Sequence, residues 1–411
     1  KRPTRAALEV FVKANQNGRK WSCESVSEAK AHHLSLSGIP ALSEMEGLIS
    51  VRWSEQFVAG GRHDTVYEKS TITFKTGEPT YRKIFSAPQG DVIHPSPAVD
   101  EGNIFVGCDD GNLYCLAEKT GRVIWKRDVG AQVRGRPIVI DSLVYVVGRQ
   151  GKVLCLQRKD GAPKWSYECK SLVEGGLTLH KDSLYVATEA GSIHRLLTKN
   201  GKLKWKTTGA SQIVSAPTID GKRAFVGDIG GLFLAYSLTD GKKLWEFRTG
   251  NKIVAKAAIS GNYVLVPGMD DHLYALSRKR GIVSWRKLLG SIPGGMTVIE
   301  GLTTDPNSRP RSLLYAALTK KEVSVLLCAN SRSGATMWTT PLPTTVQGEP
   351  AVAEGRVYVG GTDGKIYCFN ADDGTRLWSM NTGSEIRGGP AATGTAVFVA
   401  NYHGSLYRIE D

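Results

Sequence analysis

The residues best placed to do chemistry sit in eight copies of one short pattern. It opens with Ile or Val and usually closes with Pro, as in IHPSP (93–97), VRGRP (133–137), VEGGL (173–177), IVAKA (253–257), VQGEP (346–350) and IRGGP (386–390). Their variable positions carry His94, Arg134, Arg136, Glu174, Lys256, Glu349 and Arg387. If the copies converge on one opening, these side chains form a ring of mixed charge in which the basic members are more numerous. A guanidinium cluster there would hold a carboxylate or phosphate through paired hydrogen bonds. The same groups would equally well pair with one another.

Other chemical candidates are weaker. The acidic pairs Asp109-Asp110, Asp270-Asp271 and Asp372-Asp373 lie in turns, where Asp bends the chain through its own hydrogen bonds. The adjacent histidines His32 and His33 have no matching Cys or carboxylate spacing beside them, so a metal is not expected there. Cys115, Cys155, Cys328 and Cys368 share one repeat slot with Ala235, Ala275 and Arg195, which marks a small packing position. No Walker loop, HExxH, GxSxG or dinucleotide-binding fingerprint is present.

The elements that must position the ring follow from a longer repeat. Tryptophans fall at 125, 165, 205, 245, 285, 338 and 378, so the gaps are 40, 40, 40, 40, 53 and 40. Four residues before each lies a glycine, Gly121, Gly161, Gly201, Gly241, Gly281, Gly334 and Gly374. An eighth copy near the start, TGEPTYRKIF, puts Gly77 four residues before Tyr81. Between these marks run short β-branched and aromatic stretches such as IFVG, LVYVVG and VYVGG, each followed by a turn and a second run such as NLYCL. Four short strands per repeat predict an all-β chain, an eight-bladed β-propeller over 67–411. The C-terminal copy stops before its tryptophan strand, so TGEPTYRKIF is expected to close the last blade by pairing the two ends. Trp125, Trp165, Trp205, Trp245, Trp285, Trp338, Trp378 and Tyr81 are expected to wedge between blades. The 13 extra residues before Trp338, with TTDPNSRPRS (303–312), predict an exposed loop.

The phrases DGNLYCLAEKTGRVIW and DGKIYCFNADDGTRLW resemble the repeat of the PQQ-like, quinoprotein alcohol dehydrogenase-like propellers, over about residues 76–411. Members of that superfamily include quinone-dependent dehydrogenases, an outer-membrane assembly propeller lipoprotein, sensor domains attached to kinases, and the C-terminal propeller of acyl-adenylating enzymes that activate β-alanine. The dehydrogenases imply a central quinone (PQQ) with calcium, a catalytic Asp and usually a vicinal Cys-Cys pair. This chain has no adjacent cysteines, and five of its six gaps leave no room for the longer excursions that build such a pocket. The expected function is therefore a non-catalytic scaffold or recognition module without a cofactor, possible as one domain of a larger acyl-adenylating enzyme. The alternative is a quinone- or other cofactor-dependent oxidoreductase working in the channel.

Fifty-three Lys and Arg against 39 Asp and Glu leave a net charge of +14, which favours a protein partner or an anionic ligand. The charges are dispersed and no aromatic-rich binding motif accompanies them, so nucleic acid is not expected. No run of eighteen apolar residues forms a membrane span. Seven cysteines, an odd count, together with no Asn-x-Ser/Thr sequon, favour a cytoplasmic location over a bacterial envelope one. Residues 1–66 show no repeat and are expected to be a separate segment or the tail of a preceding domain. RAALEVFVKAN is expected to form a short helix there, and Trp53 in LISVRWSEQF is a rival start for the propeller.

Overall fold

The computed structural model describes residues 5–14, 20–23, 47–59, 62–72, 79–88, 91–93, 96–302, 311–320 and 323–410. It separates into two compact units, Lys1–Pro79 and Thr80–Asp411. In the first, β1 (Arg5–Ala14), β2 (Lys20–Cys23), β3 (Gly47–Ala59) and β4 (Arg62–Ile72) form one antiparallel sheet in the order β2-β1-β3-β4. This corrects the expected helix. RAALEVFVKA pairs with β3 along ten residues, from Arg5 opposite Gln56 to Ala14 opposite Gly47. Its Leu8, Val10 and Val12 also recur with period two, interrupted only by Phe11, and the β-branched valines favour that reading. Trp53 lies in this sheet and starts no blade.

The second unit is the propeller, with eight four-stranded antiparallel blades. Numbered along the chain, blades 1 to 7 span 98–128, 138–168, 177–206, 218–248, 258–288, 296–342 and 351–381. Blade 8 takes its inner three strands from 391–410 and its outer strand from β5 (Thr80–Ser86), so the chain ends close the ring. Part of the insertion in blade 6 lengthens strands: Arg311–Lys320 has ten residues where Arg356–Gly360 in blade 7 has five. The intervening loop, 303–310, lies outside the described residues.

The repeated tryptophan and glycine are one joint between blades. In six of the seven, the Trp Nε1–H donates to a carbonyl 33 residues on, or 47 at the inserted blade: Trp125 to Arg158, Trp165 to Thr198, Trp205 to Leu238, Trp245 to Arg278, Trp285 to Arg332 and Trp338 to Ala371, at 2.7–3.1 Å. The glycine of the next blade lies flat against that indole. A Cβ on Gly161 would stand 2.7 Å from the Trp125 ring, and on Gly201 2.5 Å from Trp165, while φ near +67° and +68° strains any other L-residue. In six blades the indole faces an aromatic across the cysteine slot, as in the register Phe105–Cys115–Trp125 with ring centroids 5.9 Å apart, and in blade 5 Trp285 faces Leu265 instead. Cys115, Cys155, Cys328 and Cys368 are buried thiols outside any disulfide, as that small slot requires.

Blade 8 departs from the pattern. By register its slot residue, Arg408, faces Arg82, and Tyr81 pairs with Ile409 instead. Tyr81 is 52% exposed, so it does not take the tryptophan's place. Arg82 does: its guanidinium donates to the carbonyl of Lys119 in blade 1, beside the position that an indole N–H serves elsewhere. A one-residue slip moves a side chain to the other face of a strand, and glycine-to-aromatic spacing alone does not detect it.

Candidate functional site: the channel face

The eight inner-strand segments crowd the axis, and the third position of the short pattern is small because backbones meet there. A Cβ on Gly175 would lie 2.1 Å from the Ser215 backbone, and one on Gly348 2.6 Å from Gly388. Threonines just beyond the pattern staple neighbouring blades. Thr178, Thr218 and Thr297 donate to the carbonyls of Pro217, Ala257 and Pro350 at 2.5–2.6 Å. Sequence reading missed these staples; their signal is Thr directly after the closing residue of the pattern.

The second positions form a mouth. Arg134, Glu174, Val214, Pro293, Gln347 and Arg387 line one opening of about 550 Å³. Its charges are largely paired. Arg134 bridges Asp109 and Glu174, both at 3.6 Å. Glu174 also holds Arg149 at 2.5 Å. Arg387 pairs with Glu385 at 2.8 Å and lies 4.3 Å over the ring of Tyr402. His94, the second-position residue of the first copy, lies outside the described residues.

The fourth positions form a second tier, the throat. Here blades 2, 5 and 7 supply Arg136, Lys256 and Glu349, and Ser96, Gly176, Ala216, Gly295 and Gly389 stand between them. Adjacent members touch: a Cβ on Gly295 would meet Glu349 Cβ at 3.8 Å, and one on Gly389 would meet Ser96 Oγ at 3.1 Å and the Glu349 backbone at 2.5 Å. The three charged side chains are exposed to the solvent of the channel, and the protein around the axis shifts their ionisation. Burial pushes the Glu349 carboxyl up, against Lys256, the Thr297 hydroxyl at 3.3 Å and Arg136. Burial holds Lys256 down, with Glu349 opposing and Arg136 reinforcing the shift. Arg136 is lowered by burial and raised by Glu349. The six described ring residues thus divide into three paired mouth groups and a throat trio of two cations and one carboxylate.

The acidic pairs serve turns. Asp110 accepts from the hydroxyl of Tyr114 and from Asn112 N, Asp270 from Tyr274 Oη and Gly250 N, both at 2.6 Å, and Asp271 from Ser291 Oγ at 2.6 Å. Asp373 caps Thr375 N at 2.8 Å. Calcium requires six to eight oxygen ligands. The throat offers one carboxylate beside two cations, and among the described residues no group of three or more His, Cys, Asp or Glu converges. The described side chains therefore do not fit a calcium-held quinone.

Fold and channel define a PQQ-like eight-bladed propeller. The family model described as outer membrane protein assembly factor BamB matches residues 70–171, 170–331 and 321–411, and the chain belongs to that family. Among solved structures it is similar to BamB from Moraxella catarrhalis, at 16% identity and a TM-score of 0.64, covering 81% of this chain and 98% of that one. It is also similar to the quinohemoprotein alcohol dehydrogenase of Comamonas testosteroni, at 13% identity and TM-score 0.63, covering 81% and 76% of the two chains. Sqt1 of Saccharomyces cerevisiae matches at 12% identity and TM-score 0.68, covering 82% and 99%. No curated protein matches in sequence. At these identities the neighbours share the fold, and an enzyme and an assembly factor share it equally.

Proposed function

We propose that this propeller is a non-catalytic scaffold that recognises a protein partner over the mouth of its channel. The carrying observation is the mouth itself, where Arg134, Glu174 and Arg387 are held by ion pairs on a closed ring of eight blades. Fixed, paired charges around a shallow opening suit a polar rim that selects a partner by complementarity and loses little side-chain entropy on binding. Membership of a family described by outer membrane protein assembly supports this reading and keeps the envelope beside the cytoplasm as its place of action. No helix among the described residues is long and apolar enough to cross a membrane. The reading holds equally for a propeller that forms one domain of a larger enzyme, as the resemblance to acyl-adenylating enzymes implies.

The test is site-specific photo-cross-linking in cells. A cross-linker replacing Gln347 at the mouth should give discrete protein adducts that Arg134→Glu or Arg387→Glu removes, and one replacing Lys243 on the outer strand of blade 4 should not. Equal adducts at both places would overturn the recognition surface. Substrate-dependent dye reduction by purified protein supplied with PQQ and calcium would overturn the non-catalytic assignment.

A further inference from the structure

We infer that the throat of the channel, below the mouth, is a binding site for a small dicarboxylate that also carries an amino or hydroxyl donor. Three observations place it. The fourth positions of the inner segments form one tier, shown by the contacts linking Gly295, Glu349, Gly389 and Ser96 around the axis. Five of its eight members are Gly, Ala or Ser, which leaves the space between the three long charged side chains open. Those three lie on blades 2, 5 and 7, so with eight blades they approach the axis from directions about 135°, 90° and 135° apart.

Charge then selects the occupant. The mouth arginines are matched by Asp109, Glu174 and Glu385, but among the described residues Arg136 and Lys256 close no salt bridge of that kind. The trio carries a net charge of +1, two cations against Glu349. Two cations and one carboxylate face the same stretch of channel, and a bound anion supplies the charge that Glu349 leaves unmatched. A ligand with two carboxylates satisfies one cation with each, Arg136 by paired hydrogen bonds and Lys256 as a point charge. A donor group on the same ligand meets Glu349, because the Thr297 hydroxyl 3.3 Å away gives its hydrogen to the Pro350 carbonyl at 2.5 Å. Inorganic phosphate offers acceptors without that donor and would face Glu349 as a like charge. The chemistry is that of an acidic amino acid or a hydroxy-dicarboxylate, met either free or at the N-terminus of an acidic peptide.

Titration calorimetry on the purified full chain at pH 7 and low salt tests the site, with L-aspartate, L-malate, succinate, inorganic phosphate and a short peptide beginning Asp-Asp as probes. Aspartate and malate should bind one per chain, with succinate and phosphate at least about tenfold weaker because each leaves Glu349 opposed. Saturable binding of the peptide with little heat from the free acids would assign the site to a protein terminus; the reverse would assign it to a metabolite. Lys256→Met and Arg136→Met should each weaken aspartate at least about tenfold, as expected for loss of a charge-assisted bond. Glu349→Gln should erase the preference for aspartate over succinate, an effect that general damage to the fold would not produce. No saturable heat with aspartate, malate or peptide, phosphate binding as tightly as aspartate, or unchanged binding by Lys256→Met would each overturn the inference. Lys256→Met should leave the mouth cross-links in place while weakening aspartate, so the two readings fail separately.

Discussion

Replacing Gly161 by Ala should destabilise the propeller, and the part of the loss due to overpacking should disappear once Trp125 is gone. Gly161 has φ +67°, where an L-residue costs roughly 1–2 kcal/mol. Its new Cβ would stand 2.7 Å from Trp125 Cε3 and 2.9 Å from Cδ2, about 1 Å inside normal carbon contact. The indole cannot swing clear. Its N–H is bonded to the Arg158 carbonyl at 2.8 Å, and it packs 5.9 Å from the Phe105 ring. Overpacking of this kind adds about 1–3 kcal/mol, so Gly161→Ala should cost roughly 2–5 kcal/mol. Trp125→Ala removes an indole only 8% exposed and should cost about 3–5 kcal/mol. In the double variant the φ cost remains but the clash is absent, which leaves a coupling of about 1–3 kcal/mol. Urea titrations followed by both fluorescence and circular dichroism supply the values, with coincident transitions as the condition for reading free energies. Strict additivity, or a Gly161→Ala loss under about 0.5 kcal/mol, would refute the joint.

Three further outcomes are expected. His194 is buried between Tyr167 Oη at 3.0 Å and Ser192 Oγ at 3.1 Å, and burial, reinforced by Lys206, lowers its pKa from 6.5 to about 4. The folded state therefore favours the neutral ring. Stability is fully present above pH 6.5 and falls by up to about 1.4 kcal/mol per pH unit towards pH 4, a total near 3 kcal/mol, and His194→Gln should flatten that slope relative to wild type in pH-dependent denaturation. Burial pushes the thiols of Cys108, Cys115 and Cys169 up to about 12 and those of Cys155 and Cys328 to about 11. Iodoacetamide at pH 8 should label none of these five in the native protein and all of them in urea; native labelling at Cys115 would contradict the closed slot. Thr218→Val removes the 2.6 Å staple to the Ala257 carbonyl and should cost about 1 kcal/mol or somewhat more, because the carbonyl loses its buried donor. A neutral result would show the staple to be dispensable.

What could be read from the chain was whatever the repeat enforces locally. Trp and Gly recur because six of the junctions between blades are the same contact, so their spacing reports the blades and their order. The closing blade was legible for the same reason, but not its occupant. Arg82 serves the carbonyl beside an indole's position through a different side chain, and only strand register distinguishes it from Tyr81. The N-terminal RAALEVFVKA was misread because its apolar residues satisfy both periods over so short a run. Pairing with β3, more than thirty residues away, decides between them.

The ring of charges was legible as composition and illegible as electrostatics. All seven residues occupy the variable slots of one pattern, yet the second and fourth positions have opposite fates. At the mouth, Arg134 is neutralised from a turn in its neighbour, Asp109, and from the next blade, Glu174. Those partners are 25 residues back and 40 residues on, separations that only the ring brings together. In the throat the neighbours are Gly, Ala and Ser, chosen because strands crowd the axis, and small residues cannot neutralise anything. The packing that closes the propeller is thus the reason two cations remain short of partners at its centre, and fold and binding capacity there have a single physical cause.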